Sequence, residues 1–126
     1  MARYCSKASL GLVIVFFVFL SMVLSAQYWV GGSPDGWGTF EEDYMNWAAS
    51  KTFHVGDVLL FSYDSKLHDL VVAANSDLYE QCNPTPNLGV YQTGMESLTL
   101  PVAGTYYFFC SFHCHPFAMK FYINVT

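Results

Sequence analysis

Between positions 110 and 119 the chain reads Cys110-Ser111-Phe112-His113-Cys114-His115-Pro116-Phe117-Ala118-Met119, a run dense in soft metal ligands. One more imidazole, His68, stands well upstream in Leu67-His68-Asp69-Leu70-Val71-Val72. A thiolate, two imidazoles and a weak axial thioether form the set that suits copper cycling between its two oxidation states. Cys110, His115 and Met119 follow the spacing Cys-x4-His-x3-Met, short enough for three side chains of one loop to point at one atom. His68 completes the set from a distant strand. Taken singly these residues say little. A lone His on a strand is usually structural or at the surface, as His54 is read here, and a lone Met usually fills core space. The joint pattern is the signal. Zinc is the competing metal, because Cys82, Cys110, Cys114 and one His could close a structural site. Against it, passage through an oxidising compartment favours a disulfide over three free thiols.

The ligands need strands to hold them, and the sequence from residue 27 reads as short strands between turns. Strand-like runs are Tyr28–Val30, Val58–Tyr63, Leu67–Ala74, Leu98–Leu100, Thr105–Cys110 and Met119–Val125. Gly31-Gly32-Ser33-Pro34-Asp35-Gly36, Asp64-Ser65-Lys66 and Asn83-Pro84-Thr85-Pro86-Asn87 are the turn and loop signals between them. Residues Phe40–Ala49 form the one stretch with helical character, with Glu41, Glu42 and Asp43 expected in its first turn, where the dipole favours acids. The expectation is all-β: a sandwich of seven or eight strands with one short helix. Strand alternation puts His68, Leu70 and Val72 on one face, and Tyr106, Phe108 and Cys110 on one face. His68 and Cys110 are therefore expected to point inward near one end of the sandwich.

The first 26 residues are read as a secretory signal peptide, leaving 27–126 as one domain. Met1–Ser9 carries Arg3 and Lys7 and no acid, Leu10–Leu24 is almost wholly apolar, and Ser25-Ala26 offers a small-residue cleavage site. The apolar run is about 15 residues, short of the ~20 that span a bilayer. Losing Arg3 and Lys7 leaves three lysines against ten acids, a net charge of −7. Such a balance argues against nucleic acid or anionic membrane as a partner. Cys5 also leaves, so Cys82, Cys110 and Cys114 remain, and an odd count leaves one thiol over after pairing. Asn124-Val125-Thr126 is a formal N-glycosylation sequon. Asp35 and the Glu41–Asp43 run are read as a solvated face.

Several segments in order resemble the phytocyanins, small plant copper proteins within the cupredoxin group. Tyr28-Trp29-Val30-Gly31-Gly32-Ser33 with Trp37 is similar to that family's opening strand. Gly56-Asp57-Val58-Leu59-Leu60-Phe61, the His68 segment, Tyr79-Glu80-Gln81-Cys82 and Gly104-Thr105-Tyr106-Tyr107-Phe108-Phe109-Cys110 are similar to the parts that follow. The resemblance implies a Greek-key, cupredoxin-like sandwich and one type 1 copper per chain. It implies His68 and Cys110 as ligands, a second imidazole a few residues after Cys110, Met119 as the weak axial ligand, and a Cys82–Cys114 disulfide. The loop departs from the family's pattern, in which four residues separate Cys from a His-Cys pair and three more precede the axial ligand. Here it is one residue shorter overall. Keeping four residues after Cys110 makes His115 the ligand; keeping the His-Cys order makes His113 the ligand. The Cys-x4-His-x3-Met spacing favours His115, with His113 as the alternative.

The expected function is carriage of single electrons by a secreted protein of the apoplast or cell wall, with no enzymatic activity. Asp69 and Ser111 are candidates for fixing ligand orientation from behind. Phe112, Pro116 and Phe117 surround the second His with apolar surface suited to brief docking of a redox protein or small redox molecule. A monomer is expected, with no nucleic acid and no membrane once the leader is removed. The alternative is an extracellular interaction or signalling module that keeps the fold and uses little or no copper.

Overall fold

Seven short strands form two sheets in the computed structural model, which describes residues 24–126. In chain order they are β1 (Gln27–Trp29), β2 (Val58–Ser62), β3 (Leu70–Ala73), β4 (Asn87–Tyr91), β5 (Met95–Thr99), β6 (Gly104–Phe109) and β7 (Lys120–Val125). Up to residue 23 the expected leader lies outside the described residues. One sheet has the order β1-β2-β5, with β1 parallel to β2 and β5 antiparallel to it. The other has the order β4-β3-β6-β7 and is antiparallel throughout.

Period-two burial sets these strands, as a strand with one face on a core requires. In β2, Leu59 and Phe61 are buried; in β7, Phe121, Ile123 and Val125 are buried while Tyr122 and Asn124 face outward. Strand β3 is buried on both sides. Leu70 and Val72 join the main core with Phe108 and Cys110, whereas Val71 and Ala73 join Tyr79, Phe109 and Cys114 in a smaller cluster. The expected parity therefore holds: His68 precedes β3 in phase with Leu70 and Val72, and Cys110 follows β6 in phase with Phe108.

The helical content differs from expectation in two places. Helix α1 spans only Tyr44–Ala49, because Asp43 caps it by accepting from the Asn46 amide at 2.9 Å. Glu41 and Glu42 thus lie ahead of the helix, and Phe40 is released for another use. A second helix, α2 (Ser76–Glu80), is capped by Asn75, which accepts from the Leu78 amide at 2.9 Å, and it lays Tyr79 on the smaller cluster. Strand β3 also starts later than the expected Leu67. The Asp64 carbonyl accepts from both the Leu67 and His68 amides, each at 3.0 Å, and holds those residues in a turn.

Aromatic rings fill the main core. Trp37 contacts Tyr44, Phe61 and Phe121 at centroid distances of 4.7, 5.3 and 5.8 Å. Burying each Phe contributes about 1.5–3 kcal/mol, and tilted or edge contacts add roughly 0.5–1.5 kcal/mol per pair. This rigid layer reaches the ligand end directly, since Trp37 Nε1 donates to the Asp69 carbonyl at 2.9 Å, one residue from His68.

Candidate metal centre

Three donor side chains meet at one end of the sandwich: His68, Cys110 and His113. His68 Nδ1 lies 3.1 Å from His113 Nδ1, and Cys110 Sγ lies 3.8 and 3.7 Å from those two nitrogens. A point equidistant from the three atoms lies about 2 Å from each, the length of a metal–imidazole bond and a few tenths short of a metal–thiolate bond. The donors fit a soft or borderline ion that takes nitrogen and sulfur. Among the described residues this is the one such cluster.

Each donor is held from behind. His68 Nε2 lies 3.1 Å from the Gly38 carbonyl. Only an N–H can bond there, so the lone pair is left on Nδ1, facing the cluster. Gly38 itself is constrained, because a Cβ at that position would lie 2.8 Å from the Asp35 carbonyl oxygen. The Cys110 amide donates to the Met119 carbonyl at 3.0 Å, and the Met119 amide donates to the His113 carbonyl at 3.1 Å. Met119 thereby ties both ends of the loop, and its side chain is fully buried in the core cluster that contains Cys110. Asp69, also buried, accepts from the Ser111 amide at 2.7 Å and from its hydroxyl. That carboxylate fixes the turn immediately after Cys110.

His113 takes the place for which the ligand spacing favours His115. The structure brings His113 to His68 and Cys110 and leaves His115 exposed. The reason is a turn. The His113 amide donates to the Cys110 carbonyl at 3.3 Å, so residue 113 folds back over the thiol instead of running on in an extended segment. Cys114 is then bonded to Cys82 and belongs to the smaller cluster, which anchors the chain on the far side of the β3–β6 pair. From there the loop carries His115 at the surface and returns through Ala118, whose φ is 56° and whose amide donates to the Cys114 carbonyl at 2.9 Å. Cys110 is free and buried.

Phe40 completes the centre, and no sequence pattern singled it out. Its ring stacks on His113 with centroids 4.8 Å apart and an interplanar angle of 19°. Phe117 packs against Phe40 at 4.3 Å. A cleft lined by Gly38, Phe40, Glu41, Leu67, His68 and His113 opens from the donors to solvent. Around it Phe112, Leu67 and Phe117 are 60%, 57% and 49% exposed, an apolar rim on an otherwise acidic chain. His54 stands apart, an exposed residue whose backbone amide bonds to Asp57.

Burial, and secondarily the nearby His113, lowers the pKa of His68, so its ring is neutral and its lone pair available. Burial raises the pKa of the Cys110 thiol, so in the metal-free protein the sulfur keeps its proton until a metal displaces it.

Residues 37–117 match the family model described as a plastocyanin-like domain. The chain is 38% identical over 106 residues to stellacyanin of Toxicodendron vernicifluum, covering 79% of this chain and 95% of that one. It is 40% identical over 101 residues to the basic blue protein of Cucumis sativus, covering 79% and 98%. Among solved structures, cucumber basic protein, a blue copper protein, superposes with a TM-score of 0.68 at 36% identity, over 79% of this chain and 99% of that one. Cucumber stellacyanin, solved with Cu2+, gives a TM-score of 0.68 at 28% identity, over 82% and 97%.

Proposed function

The chain belongs to the plastocyanin-like family, with phytocyanins among its relatives, and from that premise we propose that it is a secreted type 1 copper protein carrying single electrons. The convergence of Cys110 Sγ, His68 Nδ1 and His113 Nδ1 on one point carries this reading. Copper held there supplies a one-electron couple whose two oxidation states tolerate the same donors. In this reading His113 would supply the second imidazole and Met119 a weak thioether donor.

The protein's own part is to keep the donors still. Gly38 and the Asp64 turn fix His68, Asp69 fixes the Ser111 turn behind Cys110, and Phe40 with the disulfide fixes His113. Donors placed before the metal arrives need little rearrangement when an electron enters or leaves. The rim of Leu67, Phe112 and Phe117 is the docking face, where His113 comes nearest the surface. An apolar rim of this size suits brief contact with a redox protein or a small redox molecule. The leader read at residues 1–26 directs the chain to the apoplast or cell wall. No helix among the described residues is long and apolar enough to cross a membrane.

Metal analysis of the purified mature protein, paired with a visible spectrum, tests the proposal. One copper per chain and an intense blue colour in the oxidised state are expected. A colourless protein after copper loading, or tight stoichiometric zinc in its place, overturns it.

Met119→Leu separates a donor role for the thioether from core filling. The exchange nearly conserves volume, so its stability cost is below about 1.5 kcal/mol. Losing a weak donor destabilises the oxidised ion more than the reduced one. The variant is expected to stay blue with a higher reduction potential by voltammetry; an unchanged potential removes Met119 from the ligand set.

A further inference from the structure

The sequon Asn124-Val125-Thr126 adjoins a cleft away from the metal centre. Asn124 is exposed on β7, the outer strand of its sheet, on the same face as Tyr122. Thr105 Oγ1 donates to Asn124 Oδ1 at 2.8 Å. That bond uses the amide oxygen and leaves Nδ2, the atom that carries an N-linked sugar. Beside it lies a cleft of about 260 Å³ whose wall includes Met45, Lys51, Phe53, Tyr122 and Asn124. This is small for a drug-sized ligand, and it joins apolar and aromatic surface to a cationic side chain. One acetylated sugar ring has that character: an apolar face, hydroxyls and an amide.

We propose that Asn124 is N-glycosylated and that the first N-acetylglucosamine seats in this cleft against Tyr122. The proposal rests on the secretion reading above, because the modifying machinery lies on the secretory route. The donor is an oligosaccharide on a lipid diphosphate. Asn124 Nδ2 forms the new bond to the sugar's anomeric carbon and gives up one proton, while the sugar–phosphate bond breaks and the lipid diphosphate leaves. The position suits a carrier that docks at its other end. Asn124 pairs with Thr105 at the start of β6, whereas Lys120 pairs with Phe109 at the ligand end.

The test is expression of the full chain in plant cells and recovery from the medium. Glycan removal by an amidase in heavy-oxygen water converts a glycosylated Asn124 to a labelled Asp. We expect the label at Asn124, with the untreated protein running slower on a gel than Asn124→Gln and collapsing to its mobility after treatment. Thr126→Ala is expected to match Asn124→Gln, and both variants to bind copper as the parent does. Secreted protein with Asn124 unmodified overturns glycosylation and leaves secretion standing. Protein retained in the cell with its leader attached overturns both readings. In metal-free protein trimmed to one sugar, a nuclear Overhauser contact between its acetyl methyl and the Tyr122 ring is expected; its absence overturns the seating.

Discussion

His113→Ala is expected to abolish the blue absorption of the copper-loaded protein, and His115→Ala to leave it largely intact. The colour would come from copper held by the Cys110 thiolate together with two imidazoles. His113 Nδ1 lies 3.1 Å from His68 Nδ1 and 3.7 Å from Cys110 Sγ, whereas His115 is exposed and outside the donor cluster. Changing a partner behind a ligand typically costs about 10–100-fold in metal affinity. Removing the ligand itself is expected to cost more. Both variants would be loaded with copper, their spectra recorded and their affinities measured by chelator competition. Neither change should unfold the protein, since His115 is exposed and His113 only half-buried. If His115→Ala bleaches the site and His113→Ala does not, the turn at Cys110–His113 opens on metal binding and the assignment falls.

That assignment marks the limit of what the sequence made legible. His68 and Cys110 could be placed on facing strands because strand periodicity is a local property, and Leu70, Val72 and Phe108 repeat it. The choice between His113 and His115 was not local. Both lie in phase on an extended segment, so alternation cannot separate them. The loop is a turn, and what bends it is the bond from His113 to Cys110 together with the anchoring of Cys114 by Cys82. Gly38 and Phe40 were illegible for another reason. They lie in an irregular segment with no period, and their roles depend on Asp43 starting the helix late. Helix α2 did leave a sign, an Asn at the cap position before Ser76-Asp77-Leu78, but five residues are too few to show a helical stripe. The Cys82–Cys114 pairing came only from the resemblance; among three cysteines, spacing does not choose.

The Cys82–Cys114 bridge links the two levels, since it serves the fold and the metal centre together. Replacing both cysteines by alanine is expected to cost about 2–5 kcal/mol of stability, the usual effect of removing a native disulfide from a small domain. The bridge spans 32 residues, and releasing that closed loop raises the entropy of the unfolded chain. For a domain of this size the loss corresponds to a fall in melting temperature of roughly 10–30 °C. Calorimetry of the metal-free double variant measures it without any contribution from copper. The second effect is specific to this loop. Cys114 directly follows His113, and the next anchor is Met119, so without the bridge His113 is held by Phe40 and two backbone bonds. The copper-loaded variant is therefore expected to bind more weakly, with a broadened and less intense visible band. Phe109, Tyr79 and Val71 still pack around the vacated sulfurs. A full-strength parent spectrum at a lowered melting temperature would show that the Phe40 stack and the Met119 ties position His113 by themselves, leaving the bridge to the fold alone.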